Sequence, residues 1–308
     1  MIPGFILKKL GMVPEGFGKG LSNLVLYIAQ PALVFLAYLK PYSTEILINS
    51  VYVLIFAIVA HVIFGFVAMI NFRKAPLGRR CMLRFATIFS NAAFMGIPLI
   101  AAVLEDKFPG ATLYASIYNI VFNAYLWTFG LYLCNDDKEP DENGIHPRTT
   151  AVKPMKAVLH PVTLAAVLGL LVFVLQIKDY IPTLVTDSFG MLADLVAPAS
   201  MLVLGLRIAD MVDIKSVFRD KYMYLFLLLR HLVLPLLVIG VFKLVALCGI
   251  VIPEVVAMVT VILAAAPSAS SSVMFAEMYD CDAVYVTELV AFSTLLSIAT
   301  MPLMILLV

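Results

Sequence analysis

Nine runs of mostly apolar residues follow one another along this chain, at about 21–39, 46–71, 81–104, 111–134, 158–177, 186–206, 217–247, 253–279 and 284–307. Each is close to the roughly 20 residues that a helix needs to cross a hydrocarbon core. Lipid offers no partner to backbone polar groups, so each run must satisfy its own hydrogen bonds, and runs of this length do so as helices. A hydrophobic fraction of 63% with only 13% charged residues lies outside the range of soluble domains. The fold class expected is therefore all-α and polytopic in a lipid bilayer. A further apolar stretch, Met1 to Leu10, would reach only roughly 15 Å as a helix, and reads as a truncated first helix. It is not a signal peptide, because Lys8 and Lys9 follow its apolar residues instead of preceding them.

Two of the nine runs carry breaks that a membrane helix normally avoids. Asn91-Ala92-Ala93-Phe94-Met95-Gly96-Ile97-Pro98 puts an asparagine, a glycine and a proline within eight residues. Ala264-Ala265-Ala266-Pro267-Ser268-Ala269-Ser270-Ser271-Ser272 interrupts a later run in the same manner. Proline removes a donor and clashes with the preceding turn, and glycine loosens the helix further. Backbone opened at membrane depth is tolerated only where it is buried in protein or faces a wet cavity. Paired interruptions in two halves of a chain point to a transporter's binding site.

The two halves correspond. Pro31 with Pro198, His61 with His231, Pro98 with Pro267 and Asp106 with Asp280 are spaced by 167 to 174 residues, each pair in the same ordinal span. This predicts a duplicated five-helix unit: residues 1–134 as the first repeat, 135–157 as a hydrophilic linker and 158–308 as the second repeat. Five is odd, so the repeats must be inverted, as in secondary transporters. Loop charges set the orientation. With alternate loops inside, sixteen basic residues fall on that side: Lys8, Lys9, Lys19, Arg73, Lys74, Arg79, Arg80, Arg84, Lys138, Arg148, Lys153, Lys156, Arg207, Lys215, Arg219 and Lys221. Lys40, Lys107, Lys178 and Lys243 fall outside. The bias makes the linker cytoplasmic and both termini non-cytoplasmic, in the cell (plasma or inner) membrane.

These motifs resemble the auxin efflux carrier family of membrane transporters, which includes bacterial permeases for organic acids. Asn91 to Leu99 is similar to the family's fourth-helix signature, Ala29 to Phe35 to its second helix, Ala197 to Gly205 to its seventh and Phe292 to Leu303 to its tenth. The resemblance covers nearly the whole chain. It implies ten helices in two inverted repeats, helices four and nine crossing near their prolines, and exchange between a scaffold and a crossover domain. It also suggests a homodimer. The central linker is very short beside that of plant members.

Substrate contact is expected from Asn91, Gly96, Pro98, Pro267, Ser268, Ser270 and Ser271, since an opened helix offers N–H groups and a half-helix dipole to a carboxylate. The alternative for the asparagine and prolines is a packing kink, and for the hydroxyls back-bonding to their own helix. Asp194, Arg230 and Glu288 are ionisable groups far from the membrane ends, where charge is costly and either paired or functional. They are candidates for proton or charge coupling, with an Asp194–Arg230 ion pair as the structural alternative. His61 and His231 read as hydrogen-bonding groups before proton relays. Asn119 and Asn123, one turn apart, read as interhelical hydrogen-bonders before cavity lining.

Cys81, Cys134, Cys248 and Cys281 are scattered and read as small buried hydrophobes without disulfide or metal. No cofactor and no nucleic-acid partner are expected. No HExxH, GxSG or GxGD setting is present, so an intramembrane enzyme is not expected. The function inferred is a carrier for a small organic anion. Its rival is an ion-coupled symporter or cation/proton exchanger on a similar inverted-repeat plan; the absence of acidic residues from 88–100 and 262–275 argues against its sodium version.

Overall fold

The computed structural model describes residues 2–41, 43–136, 159–209, 220–279 and 281–308. Every regular element within them is helical, and the chain is an all-α polytopic membrane protein. The segments in order are α1 (Ile2–Lys9), α2 (Phe17–Ala37), α3 (Thr44–Asn71), α4a (Arg80–Ile88) with α4b (Ala92–Val103), α5 (Ala111–Cys134) and α6 (Pro161–Leu175). There follow α7a (Thr183–Asp194) with α7b (Val196–Ala209), α8 (Lys221–Leu247), α9a (Glu254–Ala265) with α9b (Ser271–Met278), and α10 (Ala283–Ile305). The expected stub and nine runs are all found as helices or helix pairs. Of the inferred linker, 137–157 lies outside the described residues, as do Lys215, Arg219 and Asp280.

Five of these helices, α2, α3, α5, α8 and α10, are continuous and apolar enough to cross a membrane. The others are shorter for local reasons. Pro267 sits at the interruption of α9, and Pro198 lies in the first turn after the break at Leu195, whereas α4 breaks at residues 89–91 and Pro98 lies beyond that break, inside α4b. A proline leaves the carbonyl four residues earlier without its donor. In α6 the His160 ring accepts from the Val162 N–H at the start, and Gln176, in the left-handed conformation at φ 54°, closes the end after 15 residues.

A second pattern accompanies the prolines. Wide, five-residue-spaced turns occupy Val25–Ala29, Ala92–Gly96 and Leu229–Val233, each ending two residues before Pro31, Pro98 or Pro235. Widening the turn there shifts the hydrogen-bond register, so the chain passes the proline without a full kink.

The helices sort into two bundles, each drawing on both halves of the chain. In one, α1 lies along α7b, and the 30–37 half of α2 packs on α6 and α7a. In the other, α3, α4, α5, α8, α9 and α10 pack around one another. Apolar lipid does not drive such helices together, so close contact relies on small residues. Ala57, Ala60, Ala68, Ala86, Ala92, Ala264 and Ala265 are all buried in the larger core. A small cluster of Val25, Ala29, Phe94, Val196 and Ala199 joins the two bundles.

Ion pairs group the loops by end. Lys40 pairs with Glu105, and Lys107 with Glu254 at 3.0 Å; at the other end Arg79 pairs with Asp282 at 3.0 Å. Every pair joins loops that alternation puts on one side. It follows that α4 and α9 run in opposite directions. Glu105 does more than pair. Its carboxylate accepts from the backbone N–H groups of Gly110 and Thr112 at 2.9 and 2.8 Å, and from the Thr112 hydroxyl at 2.7 Å. Burial pushes this carboxyl up, but the bonds from Lys40, Gly110 and Thr112 outweigh it and hold the group below its usual range.

Candidate functional site

The interruptions of α4 and α9 meet. Ser90 and Ser268 form an isolated antiparallel bridge. The Asn91 N–H donates to the Pro267 carbonyl at 2.7 Å, and the Ala269 N–H donates to the Phe89 carbonyl at 2.8 Å. Each broken helix thus supplies the partners that the other lost, which is how open backbone persists at membrane depth. The contact is close. A Cβ added to Gly96 would run into the Leu263 terminal methyl, so a larger residue there would have to push that side chain aside where α4b passes α9a.

Past the breaks, α4b and α9b begin. The Asn91 carbonyl accepts from the Met95 and Gly96 N–H groups at 3.1 and 3.0 Å, opening α4b. Its side-chain Nδ2 reaches the Ser270 hydroxyl at 3.4 Å, at the start of α9b. Asn91, Pro98, Ser268, Ser270 and Ser272 are buried, and Ser271 is half-buried. Among the described residues, the Ser268 and Ser272 hydroxyls have no hydrogen-bond partner. Buried hydroxyls left so are exceptional in a protein interior. Of the expected site residues, Asn91, Pro267, Ser268 and Ser270 are therefore brought to one crossing, with Gly96 packed beside it on Leu263; Pro98 lies within α4b and Ser271 opens α9b.

Before the breaks, α4a and α9a end, and their last carbonyls lack intrahelical donors. Arg230 of α8 takes three of them. Its Nε donates to Ala266 O at 3.0 Å, one terminal nitrogen to Thr87 O at 2.9 Å, and the other to Ala264 O and Ala266 O at 2.9 and 2.7 Å. The guanidinium is fully buried, with the Phe64 ring 5.7 Å from its carbon. The Asp194–Arg230 ion pair considered from sequence is not formed. Asp194 is exposed at the end of α7a, and backbone carbonyls satisfy Arg230 instead. Glu288 is half-buried in the second turn of α10. Neither acid is brought to the crossing.

Two residues without an assigned role from sequence, Ser293 and Gln30, stand beside the breaks. Ser293 of α10 accepts from the Ser268 N–H at 2.8 Å and contacts His231 Nε2 at 2.9 Å; His231 Nδ1 contacts the Thr300 hydroxyl at 3.0 Å. His231 is thus a hydrogen-bonding group, as expected, and it supports the break. The wide turn at Leu229–Val233 lets the consecutive Arg230 and His231 both face inward. Gln30, from the other bundle, is fully buried and donates from Nε2 to the Ala93 carbonyl, while its Oε1 has no partner. The available signals were Pro31 beside Gln30 and Pro235 downstream of Arg230 and His231.

Other sequence expectations divide. Asn123 reaches Thr163 of α6 at 3.5 Å, an interhelical contact as expected, whereas the Asn119 Oδ1 is buried without a partner. His61 engages its own helix through Ala57 O at 2.8 Å. Cys81 and Cys134 are buried, but Cys248 is exposed at the end of α8 and Cys281 half-buried, which corrects their common reading as core residues. A cavity of 440 Å³ opens at the Arg79–Asp282 end, between Arg79, Leu83, Asp220, Lys221 and Tyr285. The crossing residues do not line it.

A family model described as membrane transport protein matches residues 1–305. An uncharacterized transporter of Methanothermobacter thermautotrophicus is 25% identical over 303 residues, covering 97% of this chain and 92% of that protein.

Proposed function

Because the chain belongs to the membrane transport protein family, of the auxin efflux carrier type, we propose that it is a secondary carrier moving a small organic anion, such as a carboxylate, by alternating access at the crossing of α4 and α9. The observation that carries this reading is the polarity of the crossing. The carbonyl ends of α4a and α9a are closed by the Arg230 guanidinium. The N-terminal ends of α4b and α9b instead face Asn91, Ser270 and the unpaired hydroxyls of Ser268 and Ser272. Helix N-termini and a buried cation favour negative charge, and no acidic residue lies in 88–100 or 262–275 to oppose it.

The two halves, 1–134 and 158–308, are read as inverted repeats. Two features support this: α4 and α9 run antiparallel, and each bundle takes its helices from both halves. The bundle of α1, α2, α6 and α7 is the scaffold, and the other carries the site. Movement between them would open the crossing to either side in turn. The basic-residue bias supports a cell-membrane protein with both termini non-cytoplasmic, and the family resemblance suggests a homodimer. Asp194 and Glu288 remain the carriers proposed for a coupled proton, at a distance from the cargo.

The experiment is uptake of labelled malate, malonate and indole acetate into proteoliposomes, with and without an imposed pH gradient. Saturable uptake of one acid, abolished in Asn91→Ala while folded yield is retained, is the expected result. No uptake of any anion by folded protein would sink the proposal and favour a cation or proton exchanger.

A further inference from the structure

Resting on the crossing as the site, we propose that Arg230 is a built-in cation occupying a latent monovalent-cation site, so that the carrier engages its cargo without sodium or potassium. Thr87, Ala264 and Ala266 present their carbonyl oxygens to a single guanidinium, at 2.7 to 3.0 Å. Thr87 lies in the last turn of α4a, Ala264 in the last turn of α9a, and Ala266 just beyond it. Two half-helix C-termini therefore converge on one point and add their negative dipole ends there. Converging carbonyls of unwound helices are the ligand set that holds a dehydrated alkali cation in channels and carriers.

Here the position is filled from within the chain. Arg230 is fully buried and makes four hydrogen bonds, all to carbonyls. Its planar fork matches three acceptors that a single ammonium could not span. No carboxylate among the described residues neutralises it, so its charge is balanced by the two helix ends. A covalently tethered cation cannot dissociate, and an ion gradient therefore has nothing to act on at this point. The tether also explains why the wide turn at Leu229–Val233 is placed there: it carries Arg230 to the breaks while leaving Pro235 accommodated.

The test is thermal unfolding of purified protein in detergent, in sodium, potassium or choline chloride at equal ionic strength. The wild type should unfold at one midpoint in all three salts. Arg230→Ala should unfold several degrees lower in choline, and recover part of that loss saturably with millimolar guanidinium, sodium or potassium. A saturable sodium or potassium effect on the wild type overturns the proposal, and so does an Arg230→Ala variant indifferent to all three cations. Should that variant fail to fold, Arg230→Lys takes its place. It keeps the charge with fewer contacts, so a lower midpoint without cation dependence supports the proposal, and acquired sodium dependence refutes it. No organic anion enters this measurement, so its failure is distinguishable from failure of the anion reading.

Discussion

Replacing Ser293 by alanine isolates one support of the crossing. The Ser293 hydroxyl accepts from the Ser268 N–H at 2.8 Å and contacts His231 Nε2 at 2.9 Å, and it is fully buried. Its loss strands a buried backbone N–H, which costs roughly 1–3 kcal/mol. It also removes an interhelical side-chain bond, which within membranes averages about 0.6 kcal/mol. The expected destabilisation is about 1.5–3.5 kcal/mol from these two effects together. Equilibrium unfolding in mixed detergent and SDS micelles measures it. A double-mutant cycle with His231→Phe separates the two parts. The pair should be less destabilising than the sum by about 0.5–1 kcal/mol, because without Ser293 the histidine has already lost that partner. A loss below about 0.5 kcal/mol, with additive singles, would mean that water replaces the hydroxyl and that Ser293 does not hold the break.

Two other perturbations test separate parts of the structure. Glu105→Gln should lower stability at neutral pH and flatten its acid dependence. The folded carboxyl titrates below its ordinary value of 4.5, so its contribution is present above that value and is lost as pH falls through the lower folded one; a variant with the same acid sensitivity as wild type would contradict this. Gln30→Leu removes the donor to Ala93 O that spans the two bundles, and should cost only about 1 kcal/mol of stability while slowing uptake several-fold. An unchanged uptake rate would take Gln30 out of the moving interface.

What the sequence made legible followed from rules that act locally. Apolar length located the helices to within a few residues, and Pro267 located the break of α9, because proline's missing donor acts wherever it stands. The break of α4 falls at residues 89–91, ahead of Pro98, which lies inside α4b. The partners of those breaks were not legible. For Arg230 the sequence offered a coupling role or, as the structural alternative, a pair with Asp194, yet its acceptors are the main-chain oxygens of Thr87, Ala264 and Ala266. A backbone carbonyl is common to every residue, so nothing in its side chain announces that it has been freed. Only the tertiary crossing does so. Ser293 was hidden for a similar reason: a serine in an apolar helix ordinarily bonds back to its own turn, and its service to Ser268 requires α10 to lie against α9. Gln30 carried the better clue, being a polar residue beside a proline in a membrane helix.

The two kinds of helix end at the crossing are treated differently, and that difference carries the argument about cargo. Four half-helices meet, and their dipoles would cancel if all ends were equally exposed. They are not. The C-terminal ends of α4a and α9a are neutralised by a guanidinium that cannot leave, whereas the N-terminal ends of α4b and α9b meet only neutral groups, Asn91 and the serines. The residual field is positive on the side where the unpaired hydroxyls of Ser268 and Ser272 lie. A carboxylate placed there would gain donors and a favourable potential together. A cation placed there would meet the positive N-terminal ends of α4b and α9b, with the Arg230 guanidinium close by and its charge offset, but not removed, by the two carbonyl ends, in a low-dielectric interior where repulsion is strong. On this reasoning, changing the cargo from anion to cation requires more than reshaping the serine cluster. It requires replacing Arg230 as well.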